Sequence, residues 1–284
     1  MSRPVHEART PYAEVIGDPV AHSFSPAIHK FWLERLGIAG SYEPVRVQPG
    51  ELAAYLAQRR EDPLWRGCSA TMPLKELIAP HLDRLDDGAR QTGAVNCVAR
   101  CRHELIGFNT DPDGIAAALG DAQLEGRPAV VIGAGGATRA AVAELARRGA
   151  KTTILARSPE KAAPLALLAA NVSIAPMAAA PASLAGAAAI VNASPLGMTG
   201  REPMPPAILA ALPSAAGAVA LDLVYRPVVT PFLEHAAAAG LRTVDGLTML
   251  VGQARRAFKL FFGETPPPEE AELRALLLSR LRAG

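Results

Sequence analysis

A chain of 284 residues, half of them hydrophobic, holds enough apolar material for one large core or two of ordinary size, and two domains are expected. Twenty-nine basic against twenty-seven acidic residues give a net charge of +2 without a basic run, which argues against nucleic acid as a partner. Three cysteines, Cys68, Cys97 and Cys101, argue against a disulfide framework, and with no second cysteine pair and no HExxH among six histidines no metal site is expected.

The opening MSRPVHEARTPY lacks the apolar stretch of a signal peptide, and no later segment offers ~20 apolar residues free of Pro, Gly and charge. A soluble, cytoplasmic protein with no membrane partner is expected. The chain then alternates strand-like runs, YAEVIG (12–17), YEPVRV (42–47) and NCVAR (96–100), with helical patterns, SPAIHKFWLERLG (25–37) and ELAAYLAQRR (51–60). That βαβ rhythm implies a first, mostly parallel α/β layer. Phe31 and Trp32 read as a core-facing helix stripe, and His22 and His29 as residues that brace or pack.

From residue 128 the rhythm restarts. Strands are expected at PAVVIG (128–133), KTTIL (151–155), AAAIVNAS (187–194) and AVALDLV (218–224), with helices at ATRAAVAELARRG (137–149) and SPEKAAPLALLAA (158–170). The alanine-rich stretch 175–190 fits short loops around a small helix. Residues 246–263 and 267–282 read as two closing helices separated by Pro266, Pro267 and Pro268.

Gly133, Gly135 and Gly136 stand between an apolar strand and an amphipathic helix, where backbone N–H groups and the helix dipole can hold a pyrophosphate. Thr138 occupies the third glycine position of G-x-G-x-x-G, so taken alone the motif also reads as an ordinary glycine-tightened turn. About twenty residues on, dinucleotide folds usually carry an acid for a ribose hydroxyl, but here the second strand ends in Arg157, with Lys161 four residues further. Two cations there suit the 2′-phosphate of NADP rather than NAD, the alternative being solvated surface charge.

GDPVAHSFSPAIH (17–29), SATMPLKE (69–76), GAVNCV (93–98) with GFNTDPDG (107–114), NASPLGM (192–198), LDLVYRP (221–227) and TMLVGQA (248–254) follow one another along nearly the whole chain. In that order they resemble the shikimate dehydrogenase family. The resemblance implies a two-domain α/β oxidoreductase: a substrate domain at 1–112, a doubly wound Rossmann-type NADP domain at 113–245, and C-terminal helices (246–284) returning to the first domain, with the active site in the cleft between the two. It implies reversible NADPH-dependent reduction of 3-dehydroshikimate to shikimate, a small-molecule substrate, by a monomer or homodimer.

Carried over residue by residue, it makes Lys75 and Asp111 the catalytic pair. Ser23 and Ser25, with Tyr225, bind the substrate carboxylate, and Thr71, Asn96 and Gln253 its ring hydroxyls, with Lys75 and Asp111 also touching substrate. The pyrophosphate turn is Gly133, Ala134, Gly135, Gly136 and Ala137. Ala156, Arg157, Ser158 and Lys161 form the phosphate loop, and Ser194, Leu223 and Gly246 line the nicotinamide side. Ser69, Ala70, Lys30 and Pro112 depart from the family pattern and bear on substrate preference.

On the residues alone, Ser25-Pro26 and Asp111-Pro112 read as helix caps and Lys75 as a solvated lysine. Two alternatives stand beside the shikimate reading: a quinate/shikimate dehydrogenase with broader substrate and NAD use, and a non-catalytic NADP-sensing module. The joint presence of Lys75, Asp111, Asn96 and Gln253 favours an enzyme over a sensor.

Overall fold

The computed structural model describes residues 10–268 and 271–283; the part of the opening stretch up to residue 9, read above for a leader, lies outside the described residues. In chain order the first part runs β1 (Tyr12–Gly17), α1 (Ser25–Leu36), β2 (Ser41–Arg46), α2 (Leu52–Glu61), β3 (Trp65–Ala70), β4 (Arg84–Leu85), α3 (Asp87–Thr92), β5 (Cys97–Cys101) and β6 (Glu104–Phe108). The second part continues α4 (Asp111–Leu119), β7 (Pro128–Ile132), α5 (Gly136–Arg147), β8 (Lys151–Ala156), α6 (Pro159–Ala162), β9 (Val172–Pro176), α7 (Ala180–Leu184), β10 (Ala189–Asn192), α8 (Pro206–Ala211), β11 (Val219–Asp222), α9 (Pro231–Ala238) and β12 (Arg242–Val244). Helices α10 (Gly246–Phe262) and α11 (Ala271–Ala283) close the chain.

Two compact units result. The first comprises the described residues up to Arg90, Ala94–Asn109 and Ala254–Ser279; the second comprises Gln91–Gly93, Thr110–Gln253 and the chain from Arg280. The boundary expected at 112/113 therefore falls before α4, because Ile115, Ala118 and Leu119 bury their side chains in the core of the second unit. The second boundary, expected at 245/246, falls inside α10, whose Met249 joins that same core while Ala257 and Phe261 join a core of the first unit.

In the first unit a six-stranded sheet runs β2-β1-β3-β5-β6-β4. Strands β2, β1 and β3 are parallel, but β5 pairs antiparallel with both β3 and β6, so the sheet is mixed rather than mostly parallel. The cause is a two-residue hairpin at Arg102-His103 in which Arg102 takes φ +56°; a tight turn joins only antiparallel neighbours. Pro44 is tolerated because β2 is an edge strand. One face of the sheet packs Ile16, Cys68, Ala70 and Val98 against Leu52, Tyr55 and Leu56 of α2, and Ala13, Val15 and Cys97 pack with Ala257 and Phe261 of α10.

A carboxylate sits inside this packing. Glu14, 3 % exposed, accepts hydrogen bonds from the Tyr55 hydroxyl (2.6 Å), Trp65 Nε1 (2.9 Å) and both Nε and Nη2 of Arg59 (2.8 Å each). The Arg59 guanidinium, held charged chiefly by that carboxylate, also lies over the Tyr55 ring at 5.1 Å.

His29 is buried as well, stacked on Tyr42 at 3.9 Å between ring centroids, near Trp32, Phe258 and Phe261. Neither ring nitrogen has a hydrogen-bond partner among the described residues, and burial pushes its pKa down to about 3. The unfolded chain takes up a proton near pH 6.5 that the folded chain refuses, so this site costs stability as pH falls from about 6.5 toward 3. Between pH 7 and pH 5 the loss amounts to about 2 kcal/mol, at ~1.4 kcal/mol per pKa unit. Urea unfolding of the intact protein and of His29→Phe at both pH values is expected to show that increment only in the former.

The second unit is a doubly wound sheet of six parallel strands, β9-β8-β7-β10-β11-β12. Alternation along the strands separates its two faces. Ala129 and Val131 of β7 join α4 and α5 on one side; Val130 and Ile132 join α7, α8 and α9 on the other. The helix expected over 158–170 stops at Ala162 and continues as a 3₁₀ turn, since Pro164 cannot supply an N–H to an α-helical ladder. Among the described residues no helix is long and apolar enough to cross a membrane.

Candidate active site

In sheets of this topology ligands gather outside the carboxyl ends of the strands where strand order reverses, here between β7 and β10. A cleft of about 740 Å³ opens there, lined by Gly133, Ala134 and Gly135 after β7, Arg157, Ser158 and Lys161 after β8, and Ser194 after β10. These seven residues were all expected at a cofactor site. Gly133 turns out of β7 at φ +122°, and a Cβ there would stand 3.0 Å from the Ala193 carbonyl oxygen, so no other residue fits. At Gly135, the residue capping α5, nothing lies within 4 Å of where a Cβ would point. That open space over the start of a helix, with two cations on the neighbouring loop, suits a dinucleotide carrying an extra phosphate.

The remaining expected cofactor residues have other surroundings. Gly136 and Ala137 form the first turn of α5 and do not line the cleft, and Ala156 is buried in the sheet core. Leu223 is half-buried against that core, and Gly246 is buried where a Cβ would meet the Leu223 and Val224 carbonyl oxygens at 2.7 Å. Close backbone approach accounts for that glycine.

Behind Ser194 and Leu223 lies a buried polar hub. Asn192, the last residue of β10, donates Nδ2 to Asp222 (2.9 Å) and to the Leu196 carbonyl (3.1 Å), and accepts from the Ser194 hydroxyl (2.7 Å). Asp222, the last residue of β11, also accepts from the Val224 N–H (3.0 Å) and the Thr230 hydroxyl (2.6 Å). Burial pushes its carboxyl up to about 6 against the downward pull of those three donors. Tyr225 follows two residues past Leu223; burial raises its phenol above the ordinary value.

Within the second unit the expected Asp111 and Gln253 come close in structure. Thr110, adjoining Asp111, donates its hydroxyl to Gln253 Oε1 at 3.3 Å, and Gln253 Nε2 donates to the Leu250 carbonyl. The helices can approach because a Cβ on Gly114 would fall 2.4 Å from the Met249 carbonyl oxygen, and one on Gly252 3.0 Å from Gly114 Cα. Asp111 is itself the first residue of α4, with Thr110 as its cap, so the cap reading of Asp111 shifts by one position.

Within the first unit the other expected residues gather at one end of the sheet. The Thr71 N–H bonds to Ile16 of β1, the Ala70 N–H to Asn96, and the Val95 N–H to the Lys75 carbonyl at 2.8 Å. Thr71 and Lys75 therefore follow β3 where Asn96 enters the antiparallel β5. Ser25 is the first residue of α1 rather than its cap; its N–H donates to Ser23 Oγ at 3.2 Å. Ser69, one of the departures, accepts the Tyr42 hydroxyl at 2.7 Å.

Residues 15–98 match the model of the shikimate dehydrogenase substrate binding domain, and 246–277 that of the shikimate 5′-dehydrogenase C-terminal domain. A shikimate dehydrogenase (NADP(+)) of Sphingopyxis alaskensis is 48% identical over 278 residues, covering 96% of this chain and 99% of the relative. The chain belongs to the shikimate dehydrogenase family. An enzyme of the same name from Acidiphilium cryptum is 43% identical across 93% of the chain and 95% of its own length. The solved Thermus thermophilus shikimate 5-dehydrogenase in complex with NADP(H) and shikimate superimposes with a TM-score of 0.83 at 36% identity, covering 96% of this chain and 100% of that one.

In this shikimate dehydrogenase family member, sequence reasoning missed Met177, Arg201 and Glu202 as cleft residues and the Asn192–Asp222 hub. The hub had a signal: a carboxylate ending the otherwise apolar strand VALD is costly to bury unless it is used. Glu202 had none, being a charge in a polar loop four residues past the NASPLGM motif.

Proposed function

We propose that this chain catalyses the reversible, NADPH-dependent reduction of 3-dehydroshikimate to shikimate in the cytoplasm, a step toward aromatic amino acids. The observation that carries the reading is the cleft at the strand-order reversal, where a glycine turn, open space and the Arg157/Lys161 pair meet in one wall. Gly133 to Gly135 hold the pyrophosphate, and Arg157 with Lys161 the 2′-phosphate. NADPH supplies the hydride when bound.

Reduction of the ring ketone leaves charge on its oxygen, and Lys75 gives that oxygen a proton, taking it back in the reverse direction. Asp111 acts with Lys75 in that step. Ser23 and Ser25 bind the carboxylate with Tyr225, while Thr71, Asn96 and Gln253 orient the ring through its hydroxyls.

The test is turnover of purified protein with shikimate and with quinate, each offered NADP⁺ and NAD⁺, followed by nicotinamide absorbance. Shikimate with NADP⁺ is expected to be the best pair by a wide margin. Arg157→Asp should weaken NADP⁺ roughly tenfold or more, because a charge-assisted bond to phosphate contributes about 1.5–3 kcal/mol. Comparable kcat/KM for quinate, or equal use of NAD⁺, would replace this reading with the broader dehydrogenase.

A further inference from the structure

Arg157 is not presented to the cleft as an isolated cation. Its Nη1 donates to Glu202 at 2.9 Å, with both side chains 69% exposed. Glu202 comes from the loop after β10, which is folded back on itself: the Gly197 N–H bonds to the Glu202 carbonyl (2.8 Å) and the Arg201 N–H to the Met198 carbonyl (2.9 Å). Gly197 and Gly200 take φ of +83° and +74° in this turn, and the Thr199 N–H is tied to the Arg226 carbonyl (2.8 Å). The backbone of the loop therefore places Glu202 within reach of Arg157. Among the described residues lining this cleft, Arg157, Lys161 and Arg201 bring positive charge and Glu202 alone brings negative charge.

We propose that Glu202 is a specificity-determining residue of the cofactor cleft: an internal anion that occupies Arg157 until a 2′-phosphate displaces it, and that thereby weakens NADP binding while leaving NAD binding nearly untouched. The proposal rests on the reading of Arg157 as the partner of the 2′-phosphate. A phosphate arriving at Arg157 must break the ion pair and then lie beside the released carboxylate. Both effects oppose binding. An NAD ribose has no charge to place there, so the pair stays closed and its carboxylate can still accept a ribose hydroxyl. Because the pair is exposed, its strength is modest and salt-dependent, and removing the carboxylate should tighten a 2′-phosphate ligand by roughly three- to tenfold.

Binding of 2′,5′-ADP, 5′-ADP and NADPH to intact protein, Glu202→Gln and Arg157→Gln is measured by calorimetry at low and high salt. Thermal unfolding of each variant checks that the fold is retained. Glu202→Gln is expected to bind 2′,5′-ADP and NADPH roughly three- to tenfold more tightly, to bind 5′-ADP within about twofold of the intact protein, and to lose its advantage at high salt. Unchanged or weaker 2′,5′-ADP binding by Glu202→Gln overturns the proposal. If Arg157→Gln weakens 2′,5′-ADP in the same set, only the role of Glu202 falls. If Arg157→Gln leaves 2′,5′-ADP binding unaltered, the phosphate-reading role of Arg157 falls, and the role of Glu202 with it.

Discussion

Replacing Lys75 with alanine is expected to lower kcat by roughly 10²–10⁴, the range lost when a positioned acid or base is removed. NADPH affinity should hold within about twofold, because Gly133, Gly135 and Arg157 belong to the other compact unit and keep their cleft. Shikimate affinity should fall modestly with the loss of one charged donor. Asp111→Asn should also slow turnover, and the double variant should lose less than the product of the single losses, since groups serving one step are not additive. Steady-state kinetics in both directions with direct NADPH titration separate these outcomes. A Lys75→Ala protein with near-normal kcat rules the mechanism out. An intact protein that binds NADPH and turns over neither shikimate nor quinate leaves the sensor as the better reading.

Glu14→Ala is expected to destabilise the protein by about 3–5 kcal/mol, the usual cost of removing one partner from a buried ion pair. Four donors converge on that carboxylate, and its loss leaves the Trp65 N–H, the Tyr55 hydroxyl and a largely buried guanidinium without their acceptor. Glu14→Gln keeps the shape but removes the charge and should cost less. Arg59→Met in the Glu14→Ala background should recover part of the loss, because no uncompensated cation remains. Urea unfolding of the four proteins, followed by tryptophan fluorescence because Trp65 sits at the site, checks the order. A Glu14→Ala midpoint equal to that of the parent would show that the four bonds contribute nothing net.

The second unit was largely legible because parallel strands covered on both faces are rich in apolar and β-branched residues, as PAVVI, KTTILA and AIVN are. Strand β3 escaped the reading because WRGCSA mixes Arg66, Gly67 and Ser69 into a buried strand; Gly67 sits at φ +151°, and a Cβ would lie 2.1 Å from the Val98 carbonyl. The hairpin strand β6 was missed since Arg102-His103 lacks the Asn-Gly chemistry that marks tight turns. Helix α9 did carry a signal in Thr230-Pro231, where the threonine hydroxyl accepts the Leu233 N–H as a cap. At the candidate site, the residues expected from sequence that line the cleft are those announced by glycine, or by a cation where an acid is customary. Those made important by a long-range partner, such as Glu202 against Arg157 forty-five positions away, were not expected, since local pattern holds no record of that pairing.

The hub at Asp222 sets terms for how such a chain can change. The loop carrying Ser194 and the loop carrying Tyr225 share one anchor, through the bonds that Asn192, Val224 and Thr230 make to a single carboxylate. A mutation that re-aims one loop by disturbing the anchor re-aims the other, so the two cannot be tuned independently from beneath. New specificities are expected from exchanging side chains at the rims of those loops, as at Glu202, rather than from altering their roots. In a directed-evolution library the productive substitutions should accumulate outside Asn192, Asp222 and Thr230, leaving those three as the fixed hinge-pin around which variation is tried.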